Sequence, residues 1–394
     1  MRVKKIDATK LAALPLLVLG ILNAQGGFLV FGFCLLVILA PHIRQKIIQR
    51  AAIGVIIMAF LTGAWVAGGP VRAFLSRDLP LYTYNNDWGV LYKTYLLLEA
   101  DFNYYDAYRT AQLGRFDQPL VPGDIWGWRL PTLFFLWQML PGTSGISIYI
   151  LYLTLASSVL YVAYLIGVRY LGPNLGILSP YLLFPYLYFG ARDQIILATE
   201  WWSMFLFIIG LFFLISRRYF WAIIFLSLTV LVREVYVLPL VLMSVYALFR
   251  RRRMLAVFAI PMIAFSVLYL FHIIWTSHYI DAWGTLTAAR VLESGWFFVQ
   301  QTLAFASWEY LFVNFRPFLI FLGLATLGLA CLFIRKRGEE AIIWAAAALS
   351  FPLAFLRFGT VPYNDYWGII YVPQVLILTP LALLAFGGGE PPKK

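Results

Sequence analysis

Charged side chains are scarce in this chain, and their placement decides what chemistry it could do. The stretch Glu99-Ala-Asp-Phe-Asn-Tyr-Tyr-Asp-Ala-Tyr108 sets Glu99 and Asp101 just ahead of Tyr104, Tyr105 and Tyr108. Asp101 and the tyrosines are spaced i, i+3, i+4, i+7, which predicts a helix over 99–114 with one carboxylate and three phenol rings on a shared face. Asp106 points off that face and Gly114 is its stop. A carboxylate so placed suits a general base. Downstream, Arg129 opens the segment Arg-Leu-Pro-Thr. Arg192-Asp193 stand at a junction of two apolar runs, Glu200 lies inside the next run, and Arg233-Glu234 interrupt a longer one. Arg357, Tyr363, Asp365 and Tyr366 share a last polar turn. Forked guanidinium donors match phosphate oxygens, and Arg233 and Arg129 rank ahead of Arg192 and Arg357 for that task. Glu200 needs an arginine, indole N–H or phenol partner if it is buried. Plainer readings exist for each feature: a loop helix packed with its acids solvated, and Arg233-Glu234 as a self-neutralising pair in a turn.

The spacing of Glu99 and Asp101 would hold a divalent cation only in extended chain, because residues two apart on a helix diverge. A metal is therefore not favoured, and no metal ligand or other cofactor is assigned. His42, His272 and His278 lack paired spacing, and Cys34 and Cys331 sit inside apolar runs, which argues against zinc and against a disulfide framework.

The elements that must position these groups are apolar helices. Of the 394 residues 62% are hydrophobic and only 12% charged, with mean hydropathy +0.82, a composition that belongs in a bilayer. Runs of about 20 apolar residues, enough to cross the hydrocarbon core, occupy 51–69, 146–168, 194–215, 254–275, 318–334 and 367–386. Interrupted candidates are 11–40, 171–190, 220–249 and 341–356, and reading the broken ones as hairpins gives about twelve crossings, within a range of ten to thirteen. The fold class is thus an all-α, polytopic membrane bundle.

Orientation follows from the basic residues. With both termini cytoplasmic, 19 of the 30 basic residues face the cytoplasm beside only four of the 18 acids. The net charge of +12 is then an orientation signal, and nucleic acid is not implied as a partner. Two outer loops stand out, a long one at 70–145 that should carry structure of its own and a second at 276–316 with interfacial aromatics. The chain divides into an N-terminal segment and hydrophobic hairpin (1–50), a module containing the first outer loop (51–253) and a C-terminal transmembrane module (254–394).

Five short motifs carry a resemblance. Asp101-Phe-x-Tyr-Tyr-x-Ala followed by Arg129-Leu-Pro-Thr-Leu-Phe-Phe135 resembles the first outer loop of glycosyltransferases of the GT-C fold, nearest to the polyprenyl-phosphomannose-dependent mannosyltransferases. Pro185-Tyr-Leu-Tyr-Phe-Gly190, Glu200-Trp-Trp-Ser and Leu231-Val-Arg-Glu-Val-Tyr-Val-Leu-Pro239 are similar to the middle spans of that superfamily, so the likeness covers about 51–253. It implies an enzyme of the plasma membrane with an extracytoplasmic site. Such an enzyme moves mannose, or another hexose or pentose, from a polyprenyl-phosphate donor to a glycolipid, polysaccharide or protein acceptor. It also implies that Asp101, the matching acid, is the catalytic base; Glu99, Tyr104, Tyr105, Tyr108, Glu200 and Glu234, from their own placement in the chain, are expected to support it or bind acceptor. The alternatives are a lipid-linked polysaccharide polymerase or ligase and, in another class, a secondary transporter or lipid flippase. A transporter should show internal repeats, and none is evident.

Overall fold

The computed structural model describes residues 45–76, 79–113, 121–123, 125–142, 145–280, 285–286, 295–305, 317–357 and 364–387. Most of the N-terminal hairpin, Gly114, Tyr363 and much of the segment 276–316 lie outside the described residues.

The described chain is almost wholly helical. The helices are α1 (Gln45–Ala67), α2 (Gly69–Phe74), α3 (Gly89–Glu99), α4 (Tyr104–Gln112), α5 (Thr132–Gln138), α6 (Ile146–Leu171), α7 (Leu178–Ala191), α8 (Thr199–Ile215), α9 (Tyr219–Val232), α10 (Val237–Arg250), α11 (Arg252–Thr276), α12 (Trp296–Ala304), α13 (Pro317–Ile334), α14 (Gly338–Phe355) and α15 (Val372–Leu378). Two residue pairs, β1 (Val121–Pro122) and β2 (Thr285–Leu286), run parallel and join the segments 70–145 and 276–316. Among the described residues three helical stretches are long and apolar enough to cross a membrane, Ile146–Leu171, Met254–Thr276 and Gly338–Phe355, and six shorter apolar helices accompany them. On α11 the apolar side chains Ile263, Leu270 and Trp275 are exposed, as expected of a surface wetted by lipid rather than water.

Helix α8 pairs with α9, and α9 and α10 both pack on α11. The last apolar run is not one continuous helix. It combines a 3-10 turn at Asp365–Ile370, α15 and a second 3-10 stretch at Thr379–Phe386 that lies along α13. Basic helix ends gather at one end of the bundle. Arg169 at the end of α6 bonds Glu340 of α14 at 2.6 Å, and Arg251, between α10 and α11, bonds Glu339 at 2.8 Å.

The long first loop is built as a layer on this bundle. Asn86 caps α3 by accepting from the Gly89 amide at 2.7 Å, and the Tyr92 hydroxyl donates to the Leu75 carbonyl at 2.6 Å. The short segment after Pro131 forms α5, too short to span, and its wholly buried Trp137 meets Trp202 of α8 edge-on with ring centres 5.5 Å apart. Lys93 is also buried here, where its ammonium donates to Asn85 at 3.0 Å and burial pulls its pKa down.

Close packing next to Glu200 depends on one glycine. A Cβ at Gly190 of α7 would lie 2.2 Å from the Tyr152 hydroxyl and 2.7 Å from the Trp201 ring, both rigid and buried. Gly190→Ala should therefore destabilise the protein by about 1–3 kcal/mol, outweighing the roughly 1 kcal/mol of helix propensity that alanine adds. A lowered melting temperature in detergent checks this, and an unchanged or raised one contradicts it.

Candidate active site

The residues singled out in the sequence separate into a buried charge cluster, an exposed turn and two outlying arginines. Arg233 closes α9, where its amide donates to the Thr229 carbonyl at 2.9 Å. Its extended backbone, φ −148° and ψ 112°, breaks the helix and leads into a single 3-10 turn at Glu234–Tyr236. The turn is held from the far side of the bundle, because the buried Tyr236 hydroxyl donates to the Ile370 carbonyl at 2.8 Å. The break buries the arginine and leaves Glu234 only slightly exposed. The Arg233 side chain is 2% exposed, and its Nε donates to Glu200 Oε1 at 2.9 Å while Nη1 donates to Glu234.

Glu200 lies in the first turn of α8, so its charge also meets the positive end of that helix. Its other oxygen accepts from the Thr199 hydroxyl at 3.2 Å. The arginine partner that a buried Glu200 requires is thus Arg233, 33 residues along the chain. Because Arg233 is committed to two carboxylates and nearly sealed from solvent, it anchors the cluster rather than offering a free fork to a phosphate.

Arg129 is placed differently. It is half-buried in the loop, and among the described residues no carboxylate bonds its guanidinium. Burial alone would lower its pKa, but the fields of Glu200 and Glu234 more than offset this and raise it. Two anions and one committed cation therefore hold a second, uncommitted cation close by.

The three tyrosines act as posts. Tyr104 donates to the Arg129 carbonyl, and Tyr108 donates to the Gly127 carbonyl at 2.8 Å, which seats α4 on the chain segment that carries Arg129. Tyr105 reaches the other way, to His272 Nδ1 at 3.2 Å. His272 Nε2 lies 3.3 Å from the Trp128 carbonyl, an acceptor only, so Nε2 carries the proton and Nδ1 accepts from Tyr105. Burial, with Tyr279 close by, pushes the Tyr105 hydroxyl up to about 12, so it remains a donor. Its ring stacks on Trp275 and Tyr279 at 6.0 and 5.8 Å between centres. The loop is thereby latched to α11. His272 and the latch carry no motif in the sequence, and the readable signal is only an ionisable side chain within an apolar span.

The helix expected over 99–114 is broken, which corrects the placement of Asp101. Helix α3 ends at Glu99 and α4 begins at Tyr104, capped by Asn103, which accepts from the Asp106 amide at 3.1 Å. Asp101 sits between them at φ 64°, exposed, and does not share a helical face with the tyrosines. Its amide donates to the Leu98 carbonyl and that of Phe102 to the Leu97 carbonyl, each at 3.1 Å, closing α3 in a Schellman motif whose left-handed position usually belongs to glycine. Glu99 is exposed at the last turn of α3. Among the described residues only Arg217 and Lys336 share a positive φ without being glycine. Both place a cation at a helix C-terminus, where it is favourable, whereas Asp101 places an anion there. Aspartate at this position thus opposes the local electrostatics, a pattern that functional sites tolerate and stability alone would remove.

The remaining two arginines stand apart. Arg192 lies over the Tyr188 ring at 5.5 Å, and its neighbour Asp193 caps a 3-10 turn by accepting from the Ile195 amide at 2.9 Å. Arg357 is exposed just past the end of α14. Among the described residues no three His, Cys, Asp or Glu side chains gather as a metal-ligand group.

Beside the cluster lies an apolar groove of about 320 Å³. Leu130, Pro131, Thr132 and Phe135 form one wall, and Leu231, Leu268 and Phe271 the other. Leu130 follows Arg129 in the chain and Leu231 precedes Arg233 by two residues, while the arginines themselves are not part of the groove lining. Exposed Phe135, Met139 and Phe271 show that its rim opens to the outer surface of the bundle.

The chain matches no known family description, no curated protein and no solved structure.

Proposed function

We propose that the protein is a multi-pass glycosyltransferase of the plasma membrane, of about twelve crossings and GT-C type, with both termini cytoplasmic and its site on the outer face. It transfers one sugar from a polyprenyl-phosphate donor to an extracytoplasmic glycolipid, polysaccharide or protein. The observation that carries this reading is an apolar groove open to the bundle exterior that begins at Leu130, next in the chain to Arg129, whose guanidinium no carboxylate bonds among the described residues and which lies in the field of Glu200 and Glu234. A lipid phosphate has that shape, an apolar tail joined to an anionic head.

In the proposed reaction the acceptor oxygen forms its bond to the anomeric carbon while Asp101 takes the hydroxyl proton. The bond from the anomeric carbon to the phosphate oxygen breaks and polyprenyl phosphate leaves, so the anomeric configuration inverts. Arg129 stabilises the negative charge that grows on the departing phosphate, and a donor preorganised in a dry site needs no solvent rearrangement. Arg233 positions Glu200 and Glu234, whose negative field reaches Arg129. Asp101 is tied to this centre through α4, since Tyr104 at the start of that helix bonds the Arg129 carbonyl.

Loss of Arg129 tests the reading. Arg129→Gln should reduce transfer from a polyprenyl-phosphate sugar by about 10²-fold or more, the size seen when one preorganised donor to a developing anion is removed. Arg192→Gln, altered outside the cluster, should stay near the unsubstituted rate. Equal rates for Arg129→Gln and the unsubstituted protein would remove Arg129 as the phosphate contact.

A further inference from the structure

A second cavity lies at the opposite end of α9 and α10 from the Arg233 turn. It measures about 410 Å³, within the range of small-molecule sites, and is lined by Arg217, Tyr219, Arg250, Arg251, Arg252 and Met254, with Glu339 as its single acid. Four guanidinium groups thus face one carboxylate. Glu339 is already bonded to Arg251 at 2.8 Å. Among the described residues Arg217, Arg250 and Arg252 have no acidic partner.

Topology alone does not require this concentration. Basic residues that only mark the cytoplasmic side can spread into water, where like charges separate, whereas these four, although exposed, line one half-open cavity. Helix ends of both signs meet here, since α8 and α10 end at the cavity beside Arg217 and Arg250. Helices α9 and α11 both begin at the cavity, at Tyr219 and Arg252, and neither has a side-chain cap or an acid in its first turn. The end of α8 also arrives here, but its last carbonyls are already bonded to the Arg217 and Arg218 amides. Arg251 and Arg252 at the start of α11 oppose its dipole unless an anion lies between them, and the four arginines outnumber the one acid. The missing charge is therefore negative.

The rim says where that anion comes from. Phe220 and Trp221 at the start of α9 and Phe249 at the end of α10 are exposed next to the lining arginines, and Tyr219 and Met254 supply apolar lining within. A free phosphate has no use for that apolar border, while the headgroup of a lipid has its acyl chains beside it. We infer that this cavity binds the phosphate of an anionic phospholipid headgroup at the inner membrane face. The inference rests on the membrane placement proposed above and not on the sugar chemistry.

The test uses the full chain in neutral detergent, titrated with dioleoyl phosphatidylglycerol, dioleoyl phosphatidylcholine or inorganic phosphate, with bound lipid read by native mass spectrometry and thermal melting. Phosphatidylglycerol should bind and raise the melting temperature, and the other two should do neither at equal phosphorus concentration. Arg217→Asn, which tolerates the left-handed backbone at φ 59°, combined with Arg250→Gln should weaken phosphatidylglycerol binding by about tenfold or more, the effect of losing charge-assisted hydrogen bonds. Glu339→Gln releases Arg251 and should tighten binding several-fold, a gain that a misfolded variant cannot mimic. Equal binding of the two lipids, or undiminished binding by the Arg217/Arg250 double variant, would overturn the site. Unchanged or weaker binding by Glu339→Gln would also overturn it. Tighter binding of inorganic phosphate than of phosphatidylglycerol would overturn the lipid assignment.

Discussion

Arg233→Met is expected to lower the stability of the detergent-solubilised protein by about 3–5 kcal/mol. Methionine fills much of the volume of the arginine stem, so lost packing is a minor part of this loss. The major part is electrostatic. Glu200, 1% exposed, and Glu234, 15% exposed, would be left as neighbouring anions without the guanidinium that bonds both. In a low-dielectric interior such groups must take up protons or draw in water, and either response opposes the native packing. The turn at Glu234–Tyr236 would lose its anchor on α8 while keeping its bond to Ile370. Because the loss comes from uncompensated charge, removing the charges should restore most of it. The triple variant Arg233→Met, Glu200→Gln, Glu234→Gln is expected to melt nearer to the unsubstituted protein than Arg233→Met alone. If Arg233→Met melts like the unsubstituted protein, the cluster does not hold the hairpin turn.

Asp101→Asn is expected to separate activity from stability. Removing a general base reduces rate by about 10²–10⁴-fold, and that is the loss expected in sugar transfer. Stability should move the other way or not at all. Asparagine adopts the left-handed conformation at least as readily as aspartate. It also withdraws an anion from the C-terminus of α3, a change worth about 0.3–1 kcal/mol at low ionic strength. Asp101→Gly removes the backbone strain as well and should be at least as stable and equally inactive. A variant that is both less stable and less active would instead point to a structural role for the side chain.

The sequence exposed the charge cluster only in part. Arg233 and Glu234 were legible because an ionisable pair interrupting an apolar run is costly in a membrane and is kept where it has a use. Their third member was not, since the bond from Arg233 to Glu200 spans 33 positions and depends on how α8 and α9 pair. Arg233 was expected to hold phosphate, but the same pairing commits it to two carboxylates and leaves Arg129 as the available cation.

The reading of 99–114 as one helix went astray for a local reason. The tyrosine spacing is truly helical, but the break falls at Asp101, where no glycine marks the left-handed turn. The three tyrosines also turned out to bond main-chain carbonyls and His272 within the protein. Their spacing announces packing of α4, with support of the Arg129 segment as its consequence. Arg192 and Arg357 show the limit of ranking arginines by proximity to span ends, because neither joins the cluster.

Helix type was the most legible property. The apolar runs at 146–168 and 254–275 appear as helices of full crossing length, and the interruption at 233–234 appears as the turn between α9 and α10. The final run at 367–386 was equally apolar but folds with 3-10 turns at both ends. Hydropathy reports transfer from water and says little about which helical hydrogen-bond pattern the backbone will use.

The central claim, that Asp101 is the base for sugar transfer from a lipid phosphate, is tested most directly by one assay. Purified protein and its Asp101→Asn variant are each given a polyprenyl-phosphate sugar labelled in the sugar, together with delipidated-membrane glycolipid acceptors, and labelled product is measured against time. The expected result is product formation by the unsubstituted protein and a rate lower by at least about 10²-fold for Asp101→Asn at an equal or higher melting temperature. Full activity of a correctly folded Asp101→Asn protein, or no transfer of label by the unsubstituted protein, would contradict it.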